Sequence, residues 1–394
     1  MKSVLDFDLD KKVVVLRCDL NVSIKDGKIV DNTRIVNSIE TIKYILDNNA
    51  KVVILSHLGK VKSEEDKKKK SLGIVFNELD RLLPGRLKFV PFTRSDVIKD
   101  EIENIDFGNG ILLENTRFED IDGKRESSCD LELAKYWASL GDIFINDAFG
   151  TLHRGHASNV GISKFLPSGI GFLVKKEISE LDKLDNPSRP FVVIMGGSKV
   201  SDKLSVIDKL IKRVDYLLVG GAMSFTFLKA LGYDIGSSMC EDDYIDYCKS
   251  LLNKYSDKIV LPVDYYGSFV LDDVVKKELK DIGSFTSDFC GYDIGEKTIS
   301  LFKKKLISAS CVFWNGPLGV YEVEQYQNGT LEIMKYIVDG DSYNILGGGD
   351  IVSCSSIFGM YDKFDFISTG GGASLEYLVD KNLVGLSNID KVGE

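Results

Sequence analysis

The stretch Ile143–Ser158, IFINDAFGTLHRGHAS, joins a short apolar run to a glycine-containing segment with an aspartate, an arginine and two histidines. The apolar run Ile143–Ile145 predicts a buried strand. The polar cluster that follows it is unfavourable in a core but well suited to holding an anion. Because α/β proteins bind ligands in loops at the carboxyl ends of strands, this stretch indicates both the fold class and a site for a phosphorylated or carboxylated ligand.

Short β-branched runs with the same character recur along the chain, and apolar residues at helical spacing lie between many of them. The predicted strands are Val13–Leu16, Val52–Leu55, Ile111–Leu113, Ile143–Ile145, Phe191–Met195, Tyr216–Val219, Ile259–Leu261, Cys311–Phe313, Tyr343–Leu346 and Phe364–Ile367. This alternation predicts an α/β fold with mainly parallel sheets. The charged run Lys60–Lys70 contains almost no apolar residue and is interpreted as a solvated loop.

The chain has 394 residues, more than one hydrophobic core usually organises, so we expect two lobes with a cleft between them. Proline and glycine turns bracket one helical segment between Leu166 and Pro190, which indicates a hinge. We therefore expect lobes at residues 1–168 and 190–377, with a hinge and connecting helix at residues 169–189.

The net charge of -10 argues against binding to nucleic acid or to an anionic membrane, because the long-range field repels phosphate polymers. Any phosphate site must be a local basic patch, and eight of the ten arginines precede residue 160. Seven scattered cysteines without C-x-x-C spacing favour reduced thiols. With no apolar run near the ~18 residues of a membrane span and no secretory signal, a cytoplasmic protein is expected.

Polar residues follow four predicted strands of the front half, in RCDLNVS, SHLGK, LLENTRF and NDAFGTLHRGHAS. Each has an ordinary alternative: an Asx turn for Asp19 and Asn21, a surface ion pair for Arg34, and a hydrogen-bonded loop residue for His57. Four neighbouring strand ends that all supply Arg or His nevertheless indicate one ligand site.

Glycine-rich turns follow strands in the back half, in GGSKVSDK at residues 196–203, GGGD at residues 347–350 and STGGG at residues 368–372. Glycine frees backbone N–H groups to bind phosphate at a helix start, predicted near Ser201 in the first of these turns. No Walker A spacing is present. Asp350 has two compatible interpretations: it caps its helix, and it binds a Mg²⁺ ion that bridges nucleotide phosphates.

Taken in order, these segments together with DNTRI, GGAMSFTFL and WNGPLGVYE resemble the signature segments of the phosphoglycerate kinase family from about residue 13 to about residue 386. The resemblance implies reversible transfer of the acyl phosphate of 1,3-bisphosphoglycerate to ADP, giving 3-phosphoglycerate and ATP. It implies two Rossmann-like, three-layer α/β/α lobes, the first binding the acid and the second Mg-ADP or Mg-ATP. The tail, residues 378–394, is expected to return to the first lobe, and a monomer is expected.

The resemblance also implies roles for individual residues. The acid would be held by Asp19, Asn21, Arg34, His57, Leu58, Gly59, Lys60, Arg117 and Arg154. The nucleotide would be held by Gly197, Lys203, Gly291, Glu322, Gly348, Gly349, Asp350 and Ile351, with Asp350 acting through Mg²⁺. The transferring phosphoryl group would be surrounded by Arg34, Lys199, Gly371 and Gly372.

The chain departs from the family pattern at Ile351, where threonine is usual, at Lys60, where arginine is usual, and at Ser23 and in the tail. We expect weaker nucleotide affinity from Ile351. A nicotinamide-dependent dehydrogenase is disfavoured because no GxGxxG follows the first strand. A catalytically weakened binding or scaffold protein is the remaining alternative, and it would be expected to lack Lys199, Arg34 or Asp350, which are all present.

Overall fold

The computed structural model describes residues 1–391, and the chain forms two compact units. The N-terminal unit comprises Met1–Leu181 and the C-terminal segment from Asp380 onward, and the C-terminal unit comprises Asp182–Val379. No helix among the described residues is both long and apolar enough to span a membrane.

The N-terminal unit contains eight strands and six helices among its described residues. Its strands are β1 (Val13–Cys18), β2 (Ile24–Lys25), β3 (Lys28–Ile29), β4 (Lys51–Leu55), β5 (Leu87–Val90), β6 (Gly110–Leu113), β7 (Ile143–Asp147) and β8 (Ser168–Ile170). Its helices are α1 (Thr33–Asp47), α2 (Glu64–Lys69), α3 (Gly73–Leu82), α4 (Asp96–Asn104), α5 (Leu131–Ala138) and α6 (Phe172–Asp182).

Six of these strands form a parallel sheet in the order β5-β6-β4-β1-β7-β8. Alternate residues of β1 enter different cores: Val14 and Leu16 pack on one face, and Val15 packs on the other. Helices cover both faces, which explains why the strands are apolar without interruption. Strand β4 lies on one side of β1 and strand β7 lies on the other. The carboxyl ends of β1 and β7 therefore mark the switch point where such sheets bind ligands.

The C-terminal unit is built in the same way. Its strands are β9 (Phe191–Met195), β10 (Tyr216–Val219), β11 (Ile259–Val260), β12 (Asp264–Ser268), β13 (Glu278–Asp281), β14 (Cys290–Ile294), β15 (Cys311–Asn315), β16 (Tyr343–Gly347) and β17 (Phe366–Ser368). Its helices are α7 (Leu204–Leu210), α8 (Met223–Ala230), α9 (Ile245–Tyr255), α10 (Glu296–Leu306), α11 (Asn328–Val338), α12 (Gly349–Ile357) and α13 (Gly372–Val379). The parallel sheet has the order β11-β10-β9-β15-β16-β17, so its switch point lies between β9 and β15.

All ten predicted strands are present, and the α/β fold with mainly parallel sheets is confirmed. The loop prediction for Lys60–Lys70 is wrong, because helix α2 lies within that run. The three-stranded antiparallel sheet β13-β12-β14 was not predicted. Its outer strand β13, ELKD, is largely exposed and carries no apolar alternation, so no periodic pattern predicts it.

The C-terminal segment hydrogen-bonds within the N-terminal unit. The backbone N–H of Lys2 donates to the carbonyl of Asp390 at 2.7 Å, and that of Gly385 donates to the carbonyl of Leu152 at 2.7 Å. Within the interval expected to be a hinge, Gly169 and Ile170 belong to the edge strand β8. Helix α6 follows, and Leu181 is the last residue of this unit before the break.

A buried carboxylate ties the antiparallel sheet to helix α10. Asp264 Oδ2 accepts the N–H of Lys297 at 3.0 Å, and Oδ1 accepts the N–H and the hydroxyl of Thr298 at 2.8 and 2.6 Å. Asp264 is fully buried. The carboxylate therefore serves as the cap that the first turn of α10 lacks in its own sequence, where Gly295 precedes the helix.

We expect Asp264→Ala to lower the free energy of unfolding of the C-terminal unit by about 2–4 kcal/mol. The substitution removes a helix cap and leaves buried N–H and O–H donors without an acceptor. The chain has two tryptophans, Trp137 and Trp314, one in each unit. Urea unfolding followed by the fluorescence of Trp314 in a Trp137→Phe background measures this unit alone. Asp242→Ala, which breaks an exposed ion pair with Lys229, should have a much smaller effect on the free energy of unfolding; equal losses would contradict the capping role.

Candidate functional site

The acid-binding residues expected after β1 lie together at the switch point of the N-terminal sheet. Asp19 follows β1 and forms an ion pair with Arg34, the second residue of α1. A Cβ on Gly150, in the loop after β7, would lie 2.5 Å from Asp19 Oδ2. Glycine is therefore required there for the loop to pass so close to the carboxylate. Strand β1, helix α1 and the loop after β7 thus meet at one point.

Beneath this point lies Arg17, a fully buried guanidinium on β1. Its Nε donates to Ser158 Oγ at 2.9 Å, and its Nη2 lies 3.2 Å from His57 Nδ1. Since a guanidinium can only donate, His57 Nδ1 must accept, which leaves the His57 proton on Nε2. Burial lowers the pKa of Arg17, while Glu126 and Asp19 favour its charged form.

A second set of contacts, made by Arg117 and Glu126, lies near the buried Arg17 guanidinium. Arg117, in the turn after β6, donates to Asp120 at 2.7 Å and lies with Nη2 3.3 Å from His156 Nε2. Glu126 Oε1 accepts the Ser158 hydroxyl at 2.5 Å. Arg117 Nε is buried without a hydrogen-bond partner among the described residues, so this guanidinium retains one donor for a ligand.

The loop of residues 57–60 is fixed from both sides. Gly59 donates its N–H to Asn21 Oδ1 at 2.8 Å, and Leu58 donates its N–H to Asn115 Oδ1 at 3.1 Å. Leu58 is buried, whereas the Lys60 side chain is exposed. Arg154, in the loop after β7, donates through Nε to His153 Nε2 at 3.1 Å.

His57 and His156 are held in their neutral form by burial and by the guanidinium groups around them. Burial lowers the pKa of His57 well below its usual value, and Arg17, Arg117 and Arg154 lower it further despite the opposing charge of Asp19. Burial and Arg117 lower the pKa of His156 to about 3. Burial alone would raise the pKa of Asp19, but the positive charges of Arg34 and its neighbours outweigh burial and lower it. The cluster therefore combines fixed cations with neutral imidazole hydrogen bonds.

We expect the imidazole signals of His57 and His156 to show no titration near pH 6.5, because burial and the neighbouring guanidinium groups lower both pKa values. Proton–carbon NMR on the three-histidine chain measures this directly, with His153→Gln and His156→Gln variants for assignment. A titration of either signal with a midpoint near 6.5 would show that the imidazole is solvated and would contradict this arrangement.

The C-terminal unit contains a cavity of about 620 Å³ beside its own switch point. Four of the expected nucleotide-binding residues line it: Gly197, Gly291, Glu322 and Asp350. Aromatic side chains supply much of the remaining wall, including Phe225, Tyr265, Tyr292 and Tyr321. This combination of apolar wall and a few polar groups is typical of a small-molecule site.

Lys203 reaches the same region from the turn after β9. It donates to Asn315 Oδ1 at the end of β15, and a Cβ on Gly197 would lie 3.6 Å from Lys203 Cε. Burial lowers the pKa of Lys203 to about 8, and the carboxylates of Asp350 and Asp202 oppose that shift. Asn315 Nδ2 in turn donates to the carbonyl of Gly347, which joins the ends of β15 and β16.

Helix α12 presents its N-terminus at the cavity edge. Gly348, with φ 111°, is the residue before the helix, so the interpretation of Asp350 as the N-cap is wrong. Asp350 lies in the first turn, is exposed, and makes no hydrogen bond or ion pair with other described residues. The side chain of Ile351 is fully buried in the core of this unit. The N–H groups of Gly349, Asp350 and Ile351 lie in the first turn of the helix and have no acceptor within it.

The expected helix start near Ser201 binds a carboxylate of the chain itself. Glu241 Oε2 accepts the N–H groups of Val200 and Ser201 at 2.6 and 3.1 Å. A carboxylate therefore already accepts two N–H groups at this helix start, and phosphate binding by the rest of the turn stays a prediction. Lys199 is exposed in the preceding turn, and Gly371 and Gly372 lie at the start of α13. None of these three lines the cavity.

Several supporting residues received no role of their own at the sequence level, although three of the four stand in the quoted motifs. Arg17, His156 and Glu126 support the cationic cluster, and Asn315 organises the nucleotide side. Arg17 carried a usable signal, because a charge inside the apolar run VVVLRC demands a buried partner. Glu126 carried none, since it lies in a charged segment that resembles a surface loop.

Comparison with known proteins agrees with this geometry. A sequence model described as phosphoglycerate kinase matches residues 4–381. The phosphoglycerate kinase of Fusobacterium nucleatum is 49% identical over 393 residues, covering 98% of this chain and 99% of that protein. The phosphoglycerate kinase of Listeria welshimeri is 50% identical over 390 residues, covering 98% of each.

Solved structures give the same result. The phosphoglycerate kinase from Coxiella burnetii matches with a TM-score of 0.86 and 36% identity over 98% of both chains. That from Pyrococcus horikoshii OT3 matches with a TM-score of 0.85 and 30% identity, covering 99% of this chain and 98% of that one. These similarities do not favour the scaffold alternative. The chain belongs to the phosphoglycerate kinase family and is a kinase that transfers a phosphoryl group reversibly between 1,3-bisphosphoglycerate and ADP.

Proposed function

We propose that the cationic cluster of the N-terminal unit holds the three-carbon acid and that the cavity of the C-terminal unit holds the nucleotide. The observation that supports this division is the contrast between the two sites. One gathers guanidinium groups around a buried carboxylate, whereas the other offers an apolar, aromatic wall with a free helix start at its edge. The first suits a small polyanion and the second suits a base with a phosphate chain.

In the acid site, Arg34, Arg117 and Arg154 would bind the carboxylate and phosphate of 3-phosphoglycerate. Asp19 and Asn21 would accept and donate hydrogen bonds at its hydroxyl group. The Leu58–Lys60 backbone and His57 would complete the site; Lys60 contributes less because its side chain is exposed. Arg17 acts as a positioning residue that fixes the His57 ring.

In the nucleotide site, Glu322 would accept from ribose, Gly291 would lie against the base, and Lys203 with the N–H groups of Gly349–Ile351 would bind phosphates. No group of three or more His, Cys, Asp or Glu side chains within residues 1–391 could hold a metal ion. A single exposed carboxylate, Asp350, fits a Mg²⁺ ion that takes its other ligands from phosphates and water. When bound, Mg²⁺ neutralises charge on the phosphate oxygens.

Arg34, Lys199 and the N–H groups of Gly371 and Gly372 would surround the phosphoryl group in flight. Phosphoryl transfer depends on positioning and charge compensation, so no covalent enzyme intermediate is expected. The two ligands are assigned to different units, and transfer requires them to meet with water excluded. We therefore propose that the units close through the connecting segment 169–189, and that the enzyme is a cytoplasmic monomer.

The first test is ADP formation from MgATP by the purified protein, with and without 3-phosphoglycerate. Turnover that needs both substrates and is abolished by chelation of Mg²⁺ supports the whole assignment. Binding of both ligands without turnover would contradict it, and Asp350→Asn would then show whether the metal position is at fault.

We expect Lys199→Ala to lower kcat by about 100-fold or more, because its ammonium acts mainly on charge that develops in the transition state. The Kd for MgATP should change less than about threefold, as measured by calorimetry. Lys212→Ala removes another exposed lysine of the same unit and should change neither quantity. Equal losses in binding and turnover would show that Lys199 binds the ground state.

We expect Arg154→Ala to weaken 3-phosphoglycerate binding by about 10- to 100-fold, the usual effect of losing a hydrogen bond to a charged group. MgATP binding should be unaffected, since Arg154 belongs to the other unit. Arg81→Ala, an exposed arginine paired with Glu78 in the same unit, is the matched control. An unchanged Kd for 3-phosphoglycerate would remove Arg154 from the acid site.

A further inference from the structure

The lysine-rich run that follows Lys60, residues 61–70, has no role in the chemistry described above, yet the structure gives it a defined form. Ser63 Oγ accepts the N–H of Asp66 at the start of α2. Three carboxylates occupy the first turn of this helix and three lysines occupy its last turn. This arrangement complements the helix dipole and stabilises a helix of only six residues. Its lysines are consequently gathered at one end.

That end of α2 is fastened to the loop that carries part of the acid site. Asn115 Nδ2 donates to the carbonyls of Leu58 and Lys70, both at 2.8 Å. Lys70 Nζ donates to the carbonyl of Lys60 and to Asp66 Oδ1, the latter at 2.6 Å. The helix therefore cannot move independently of the residues next to Gly59, and its lysines keep a fixed place beside them.

Two of the lysines are not used by this framework. Lys67 pairs with Glu64 at 2.8 Å, and Lys70 pairs with Asp66. Lys68 and Lys69 are exposed and make no hydrogen bond or ion pair with any residue in the described part of the chain. Both line a cavity of about 660 Å³ whose wall also includes Asn21 and Gly59, two residues of the acid site.

The electrostatics of this cavity favour an anion. Its floor is apolar, with Val22, Ile24 and Ile74, and Asp26 is the single carboxylate in its lining. A concave surface with low-dielectric walls and one predominant sign of charge focuses its field outward. The chain as a whole carries a net charge of -10, which repels a phosphorylated acid at long range. A local cationic rim is the means by which such a protein can attract that substrate.

We propose that Lys68 and Lys69 form an accessory anion site, which captures the phosphorylated carboxylic acid at the mouth of the cavity and delivers it to Asn21 and Arg34. This inference rests on the assignment of the acid site under Proposed function. The two lysines raise the effective local concentration of the acid and play no part in the transfer step. Their contribution must therefore disappear when salt screens their charge.

The test is the steady-state kinetics of the full-length Lys68→Gln/Lys69→Gln variant at varied ionic strength. At about 0.02 M salt we expect kcat/KM for 3-phosphoglycerate to fall about three- to tenfold, because the two lysine charges no longer attract the acid to the cavity. At about 0.5 M salt the variant and the unaltered enzyme should agree, since the Debye length is then only a few ångströms. The kcat and the Kd for MgATP should stay unchanged throughout.

Lys99→Gln/Lys249→Gln removes the same total charge from exposed positions on α4 and α9 and should keep the unaltered salt dependence. Lys68→Arg/Lys69→Arg keeps the charge and should restore kcat/KM. A loss no larger than that of the Lys99/Lys249 control, a loss that persists at high salt, or a fall in kcat would each overturn the proposal. Arg154→Ala in the same assay separates the two levels: if its KM is unchanged, the acid site itself is misassigned.

Discussion

The fully buried guanidinium of Arg17 sets the arrangement of the N-terminal site. A buried cation is tolerated only when opposite charge and hydrogen-bond acceptors surround it. Ser158, His57 and the nearby charges of Glu126 and Asp19 meet that requirement. Those groups come from the loops after β4 and β7 and from the segment before α5, so satisfying one cation brings three distant parts of the chain together. The same loops carry His57 and Arg154, which we propose bind the acid.

The C-terminal unit positions its polar residues with fewer charged groups. Lys203 is buried against Asn315, and Asn315 is anchored to the carbonyl of Gly347. This short relay crosses β9, β15 and β16 at the switch point of the sheet. The N-terminus of α12 begins directly after β16, so its unsatisfied N–H groups lie beside the lysine. The burial of Ile351 in the core fixes that first turn by packing, where the hydroxyl usual in the family is absent.

The N-terminal unit carries its positive charge in two forms: guanidinium groups fixed by partners, and lysines exposed on α2. The guanidinium groups of Arg17 and Arg117 lie against His57 and His156, whose pKa values burial lowers. Lys68 and Lys69 of α2 are exposed and held in place only through the helix that carries them. Fixed groups select a ligand by geometry, whereas exposed charges act over distance and respond to salt.

The sequence by itself determined the fold class, because ten apolar runs separated by helical patterns permit little other than parallel sheets covered on both faces. It also determined the residue types of both sites, since arginines and histidines, or glycines and a lysine, follow the strands whose ends meet. Tertiary structure alone decided that Glu241 accepts two N–H groups at the helix start near Ser201, and that Glu126 accepts the hydroxyl of Ser158 next to Arg17. It likewise decided that Lys68 and Lys69 face the wall that contains Asn21. These facts depend on which side chains meet across distant segments, and local patterns carry no information about such contacts.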